Sequence, residues 1–332
     1  MPNKMVTEVQ IARLLGVTSI TVELTLCVPD SYRSNTTPAD HLATFYQPWS
    51  RVRDQPFDGV VVTGAPVETL PFEEVTYWSD LRAIFDWARS LSIHGFYICW
   101  AAQAALYHFH GVSKRQLPEK MFGVFHHHLT NAASPLLRGF GKEFPAPVSR
   151  HTEVCLADLP NQAQLKVLAV SPEAGVCLIE DRSSRAVYMF NHLEYDTRTL
   201  GDEFMRDRQA GKFVRVPCNY FPENDPQRTP VNIWRPYGTL LVANWLGEIQ
   251  RTASPCVSDE PLIQWALASP QTAYSDAQDH SAFLISGADS ANILPSDRRA
   301  LGNAGIAPRL VKVHPRLGLE QVQDHATRGG SA

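Results

Sequence analysis

The sequence predicts an α/β protein whose mostly parallel sheet is flanked by helices. Three observations lead there. Apolar strand-like runs alternate with amphipathic helical runs up to residue 110. Residues 57–63 (Phe-Asp-Gly-Val-Val-Val-Thr) form a near-continuous apolar run, the pattern of a strand buried on both faces of a parallel sheet. Residues 96–106 pass from a short apolar strand straight into a helix of small residues, with a lone cysteine, Cys99, at the joint.

The elements follow in order. Val6, Val9, Ile11, Leu14 and Leu15 mark a helical stripe that Gly16 closes. Residues 19–26 alternate and are rich in β-branched side chains, so they read as a strand. A polar loop follows over 29–37, and Pro38 opens a short helix to residue 46. After the 57–63 strand, Gly64-Ala65-Pro66 makes a turn. Residues 78–90 are amphipathic, with Leu81, Ile84, Phe85, Trp87 and Ala88 on the side to be buried. Beyond residue 120 the pattern turns to strands at 121–126 and 148–156. A hairpin or meander follows over 175–191 through the polar turn 181–185. Helices are expected at 200–210 and 238–249. Residues 1–254 thus read as one domain, and 255–332, rich in Ser, Ala, Asp, Pro and Gly, as a poorly ordered extension.

The formal net charge of −4 gives no footprint for nucleic acid or an anionic membrane surface. No apolar run is long enough to span a bilayer, and the N-terminal residues lack a signal-peptide layout. Six widely spaced cysteines without a C-x-x-C pair fit reduced thiols in a cytoplasmic protein.

A cysteine where a strand enters a helix meets unpaired N–H groups and a positive dipole end, which favour a thiolate. The N–H of Trp100 and its neighbours are placed to hold an oxyanion, the layout of a nucleophile elbow. A packed core thiol has the same local pattern, and this stretch alone does not choose. Thr63-Gly64-Ala65 and Cys99 both fall at strand C-termini, where ligands bind in such sheets. His192 and Glu194 leave one face of a strand or its end, with Cα atoms ~7 Å apart. Glutamate there orients the imidazole, leaving its other nitrogen as a base; a solvated strand end has the same pattern. His126-His127-His128 lacks a third ligand at suitable spacing, so no metal site is predicted. Glu68, just past the 57–63 strand, would repel a second carboxylate on a substrate; a surface loop glutamate is the alternative. Lys4, Lys120, Arg150 and Arg206 are candidate carboxylate clamps that spacing alone does not separate. No phosphate loop or dinucleotide fingerprint is present.

A collinear series of motifs runs from residue 1 to about Trp245: Met1-Pro2-Asn3-Lys4, Asn35 through Leu42, Phe57-Asp58-Gly59, Thr63 through Glu68, Ile98-Cys99-Trp100, Lys120 through Phe125, Ser149 through Val154, His192 through Asp196, and Asn219-Tyr220-Phe221-Pro222. This series resembles the homoserine O-acyltransferases of the bacterial methionine pathway, in the branch related to class I glutamine amidotransferases. The resemblance implies a flavodoxin-like, class I glutamine amidotransferase-like sheet. It also implies Cys99 as the acyl-carrying nucleophile, His192 as general base and Glu194 as its partner. Lys120, Ser149 and Arg206 match substrate-binding positions with Glu203 beside them, and Lys4 lies near the nucleophile. Glu68 matches the position that separates acetyl-using from succinyl-using members, which implies acetyl-CoA as co-substrate, no permanent cofactor, L-homoserine as acceptor and a homodimer. The rivals are a succinyltransferase, a glutamine amidohydrolase (which the bulky Trp100 suits less well) and a non-catalytic homologue. The chain departs from the pattern twice: the family's first strand, upstream of Met1 and central to the sheet, is missing, and the segment after residue 254 has no counterpart.

Overall fold

In the computed structural model, β3 (Gly59–Val62) and β4 (His94–Ile98) pair in parallel, and every residue of both is buried. The structure describes residues 4–33, 37–160, 163–253 and 308–314. Alternation along these two strands sends Val60, Val62 and Tyr97 to one face and Val61, Phe96 and Ile98 to the other. Each face therefore needs its own cover. On the first lie α3 (Trp49–Val52), α4 (Trp78–Ser90) and α5 (Trp100–His110). The second carries α1 (Lys4–Gly16), α6 (Thr199–Gln209) and α7 (Arg235–Ala253). The first seven residues of α5 are all buried, and Gly111 ends it in the left-handed region at φ 69°.

The remaining elements are β1 (Val22–Val28), α2 (Ala39–Phe45), β2 (Tyr46–Pro48), β5 (Arg115–Leu129), β6 (Glu143–Glu153), β7 (Leu165–Ser171), β8 (Gly175–Asp181), β9 (Ala186–Met189) and β10 (Arg309–Val313). They complete a ten-stranded sheet of order β2-β1-β10-β3-β4-β9-β8-β7-β5-β6. The β1–β2, β3–β4 and β4–β9 pairs are parallel; of these, β3–β4 joins two strands of the alternating stretch. From β9 outward the pairs are antiparallel, so the sheet is mixed: short turns replace helical crossovers in that wing.

The largest difference from expectation is β10. The sequence pattern marks 255–332 as a poorly ordered extension, yet residues 309–313 pair antiparallel with both β1 and β3. In a doubly wound sheet of order 2-1-3-4-5, the strand preceding the first helix occupies that slot. Two parallel strands one strand-width apart leave two rows of N–H and C=O groups that need partners. β10 supplies them, with Leu310 and Val311 wholly buried. The rest of the expected extension lies outside the described residues.

Candidate active site

Cys99 ends β4 and caps α5 with φ 55° and ψ −119°, a backbone state rarely held by non-glycine residues. Its N–H donates to the Met189 carbonyl at 2.7 Å, so the last residue of β9 holds the turn in place. The facing residue must be small. A Cβ on Gly64 would lie 3.1 Å from Cys99 Cβ and 3.4 Å from the Trp100 nitrogen. Glycine there lets the 64–66 turn lie against the thiol and leaves the first helical N–H groups open to the cleft. Cys99 keeps 8% exposure, enough for contact with a substrate.

β9 runs beside β4, so the chain leaving Met189 passes directly over this turn. His192 donates its backbone N–H to the Pro147 carbonyl on β6 at 2.8 Å, which fixes the approach of the imidazole. Nδ1 of His192 lies 2.7 Å from Oε1 of Glu194, and the Cys99 side chain is near enough to act on the imidazole electrostatically. The structure thus brings the three predicted residues together. Burial alone pushes His192 down, but the negative charges of Glu194 and Cys99 outweigh it and raise it to about 10. Tyr195 stacks on the imidazole at 4.2 Å between centroids and 15° between planes. The loop is latched from α1, where Arg13 donates to the Glu194 carbonyl and to Asp196.

A second cluster adjoins these residues across Tyr195. Lys120 Nζ donates to Glu203 at 2.6 Å, and Ser149 Oγ donates to the same oxygen at 2.7 Å. Arg206 donates to Asp207 at 3.0 Å and stands 3.8 Å from Glu203. Burial pushes the Glu203 carboxyl up, but Lys120, Ser149 and Arg206 overcome it and hold it below the usual range. Glu68 accepts the His151 N–H at 2.9 Å, and Lys114 grips its carbonyl.

The chain matches the homoserine O-succinyltransferase family over residues 1–254. Homoserine O-acetyltransferases of Brucella canis and Brucella suis are each 53% identical to it over 252 residues, covering 76% of this chain and 82% of theirs. The chain belongs to the homoserine O-succinyltransferase family. Among solved structures, a glutamine amidotransferase from Thermotoga maritima aligns with TM-score 0.43 and 14% identity, over 63% of this chain and 90% of that one. A glutamine amidotransferase from Methylobacillus flagellatus aligns with TM-score 0.43 and 12% identity, over 67% and 94%.

Not every candidate of this homoserine O-succinyltransferase family member lies where the sequence suggests. Trp100 offers the cleft only its backbone, because its indole is wholly buried against Phe72. Lys4 directs its ammonium at Tyr32 Oη, 2.6 Å away, rather than at the thiol. Arg150 is not an open clamp: it is 1% exposed and donates inward to Asn191 at 2.5 Å and to the Ala174 carbonyl. His126 and His128 both face Glu143, while His127 is buried on Asn191. Among the described residues, no group of three or more His, Cys, Asp or Glu is arranged to hold a metal ion. None of their helices is long and apolar enough to cross a membrane. The sequence reading missed Tyr195, although an aromatic three residues after His192 in a tight turn is a readable signal.

Proposed function

We propose that this chain is a homoserine O-acetyltransferase that carries the acetyl group as a thioester on Cys99, in methionine biosynthesis. The observation that carries the reading is the buried His192–Glu194 hydrogen bond, with Cys99 within electrostatic reach of the same imidazole at the carboxyl ends of the parallel strands. In the first half-reaction the Cys99 thiolate attacks the acetyl carbonyl of acetyl-CoA. The C–S bond to CoA breaks, and the imidazolium of His192 gives its proton to the departing sulfur. Acetylation removes the negative charge that helped hold the proton on His192, so the imidazole stays neutral and free to accept a proton in the second half. It takes the proton of the homoserine γ-hydroxyl, whose oxygen attacks the thioester. Cys99 leaves as the thiolate, and O-acetylhomoserine is released. The N–H groups of Trp100 and Ala101 hold the oxyanion in this reading, those of Ala102 and Gln103 being taken by the Cys99 carbonyl.

The Lys120–Ser149–Glu203–Arg206 cluster carries both signs of charge, which suits an amino acid. In this reading Arg206 and Lys120 take the homoserine carboxylate, and Glu203 takes its ammonium. Glu68, held by His151, excludes a carboxylate-bearing acyl chain. Residues 1–254 form the catalytic domain of a cytoplasmic homodimer with no permanent cofactor.

Mass spectrometry after incubation with acetyl-CoA tests the mechanism. The expected result is one acetyl group on Cys99, released by homoserine and absent in Cys99→Ser. Labelling elsewhere, or none, overturns the proposal. The family's name favours a second reading, succinyl transfer, and donor competition separates the two. Succinyl-CoA used as well as acetyl-CoA would remove the role given to Glu68.

A further inference from the structure

β10 enters the sheet with its first residue toward the working end. Arg309 pairs in register with Val61 of β3 and Leu26 of β1, near the carboxyl ends of both strands. Its side chain is wholly buried, and Nη1 donates to Thr63 Oγ1 at 3.1 Å. Thr63 immediately precedes Gly64, the residue packed against Cys99. Glu194 is wholly buried as well. One of its oxygens is on His192, and the other has no hydrogen-bond partner among the described residues. The titratable groups whose field reaches the Arg309 guanidinium are Tyr46 and Glu8 first and Glu194 last. The surrounding polar groups are Lys4 and Glu8 on α1, Tyr32 after β1 and Tyr46 on β2.

We propose that Arg309, carried to the base of the cleft by β10, is a positioning residue for acyl transfer: it fixes Thr63 behind the Gly64–Cys99 contact and sets a buried positive charge beside it. Its role in transfer rests on the acyltransferase reading, whereas its place in the sheet and its field do not. The catalytic unit then extends beyond residue 254 to include β10. Arg309 is a group that the motif-bearing part of the chain does not contain.

The field of Arg309 also reaches Lys4. Burial first, then Arg309, lowers the Lys4 ammonium to about 7, with Glu8 opposing. This provides a readout that a purely structural role would not move. In full-length protein carrying 13C-labelled lysine, the Lys4 signal should titrate near 7. In Arg309→Met it should move toward the ordinary lysine range, and in Arg309→Lys it should stay close to wild type.

For transfer itself, Arg309→Met should lower kcat/KM for acetyl-CoA and homoserine about tenfold to a hundredfold, as a small misplacement of reacting groups does. Arg309→Lys should recover most of that loss, and Thr63→Val should reproduce part of it. Hydrogen exchange on the wild-type chain should protect the amides of 310–313 as strongly as those of β3. Unprotected amides there overturn the proposal, even if Arg309→Met fails to fold. A folded Arg309→Met with kcat/KM within about twofold of wild type also overturns it. A wild-type chain that transfers no acyl group ends the positioning role together with the acyltransferase reading. Lys4 titration and hydrogen exchange would then still report whether the guanidinium occupies this place.

Discussion

Glu194 has one oxygen 2.7 Å from His192 Nδ1 and no access to water, so the pair responds to substitution as a unit. In Glu194→Gln the principal charge holding the proton on His192 is gone while burial stays, so the imidazole should titrate well below about 10. Histidine-detected NMR titration reads this directly. The sign for stability follows. A histidine raised in the folded state stabilises it fully below its unfolded value of roughly 6.5, and that contribution is lost as pH rises through the folded value. The pH-dependent part of the stability gap between wild type and Glu194→Gln should therefore be widest below about pH 6.5 and close toward pH 10. Urea melts at a series of pH values measure it. Activity should fall roughly 10²- to 10⁴-fold, the range lost when a positioned base is disoriented.

The elements show which parts of the site were legible. β3 and β4 were readable because strands buried on both faces need apolar side chains at every position. The Cys99 turn was readable because an apolar strand meets a helix of small residues with a nucleophile between them. His192 and Glu194 were visible as a pair, but their meeting with Cys99 was not. It depends on β9 lying beside β4, a pairing of residues far apart in sequence. β7 escaped the pattern because its register slips on both sides of Ala169, which breaks the period of two. At this scale the Gly64 turn is the sharpest test. In Gly64→Ala the added methyl would press on Cys99 Cβ and on the Trp100 nitrogen, both backbone-anchored. Because the Cys99 turn is held by the Met189 carbonyl, the strain should appear in catalysis. The expected outcome is a fall in kcat of more than about tenfold with a thermal midpoint close to wild type, by steady-state kinetics and calorimetry.

At the scale of the whole molecule, two helical layers close on a mixed sheet whose interior includes a strand from late in the chain. The sequence did not reveal this, because Arg309–Val313 is five residues long and lies in a segment of low-complexity composition. Its partners determine its state more than its own propensity does. Val311, wholly buried between Leu24 and Gly59, is the residue by which to test the sheet as a unit. Val311→Asp would place an unpaired carboxylate in the core and should cost about 3 kcal/mol or more. Chemical denaturation should show the loss as one cooperative transition if β10 belongs to the same unit as β3.

The pairing of Val22 with Val313 also has a consequence for biosynthesis. Contacts that distant form late and slowly, because a long loop must close before they add any stability. A nascent polypeptide can assemble β1, β3, β4 and the cysteine turn early, yet the gap between β1 and β3 stays open until residue 313 has emerged from the ribosome. Through that interval the unpaired strand edges are open to other chains, and this is when the protein most needs a chaperone.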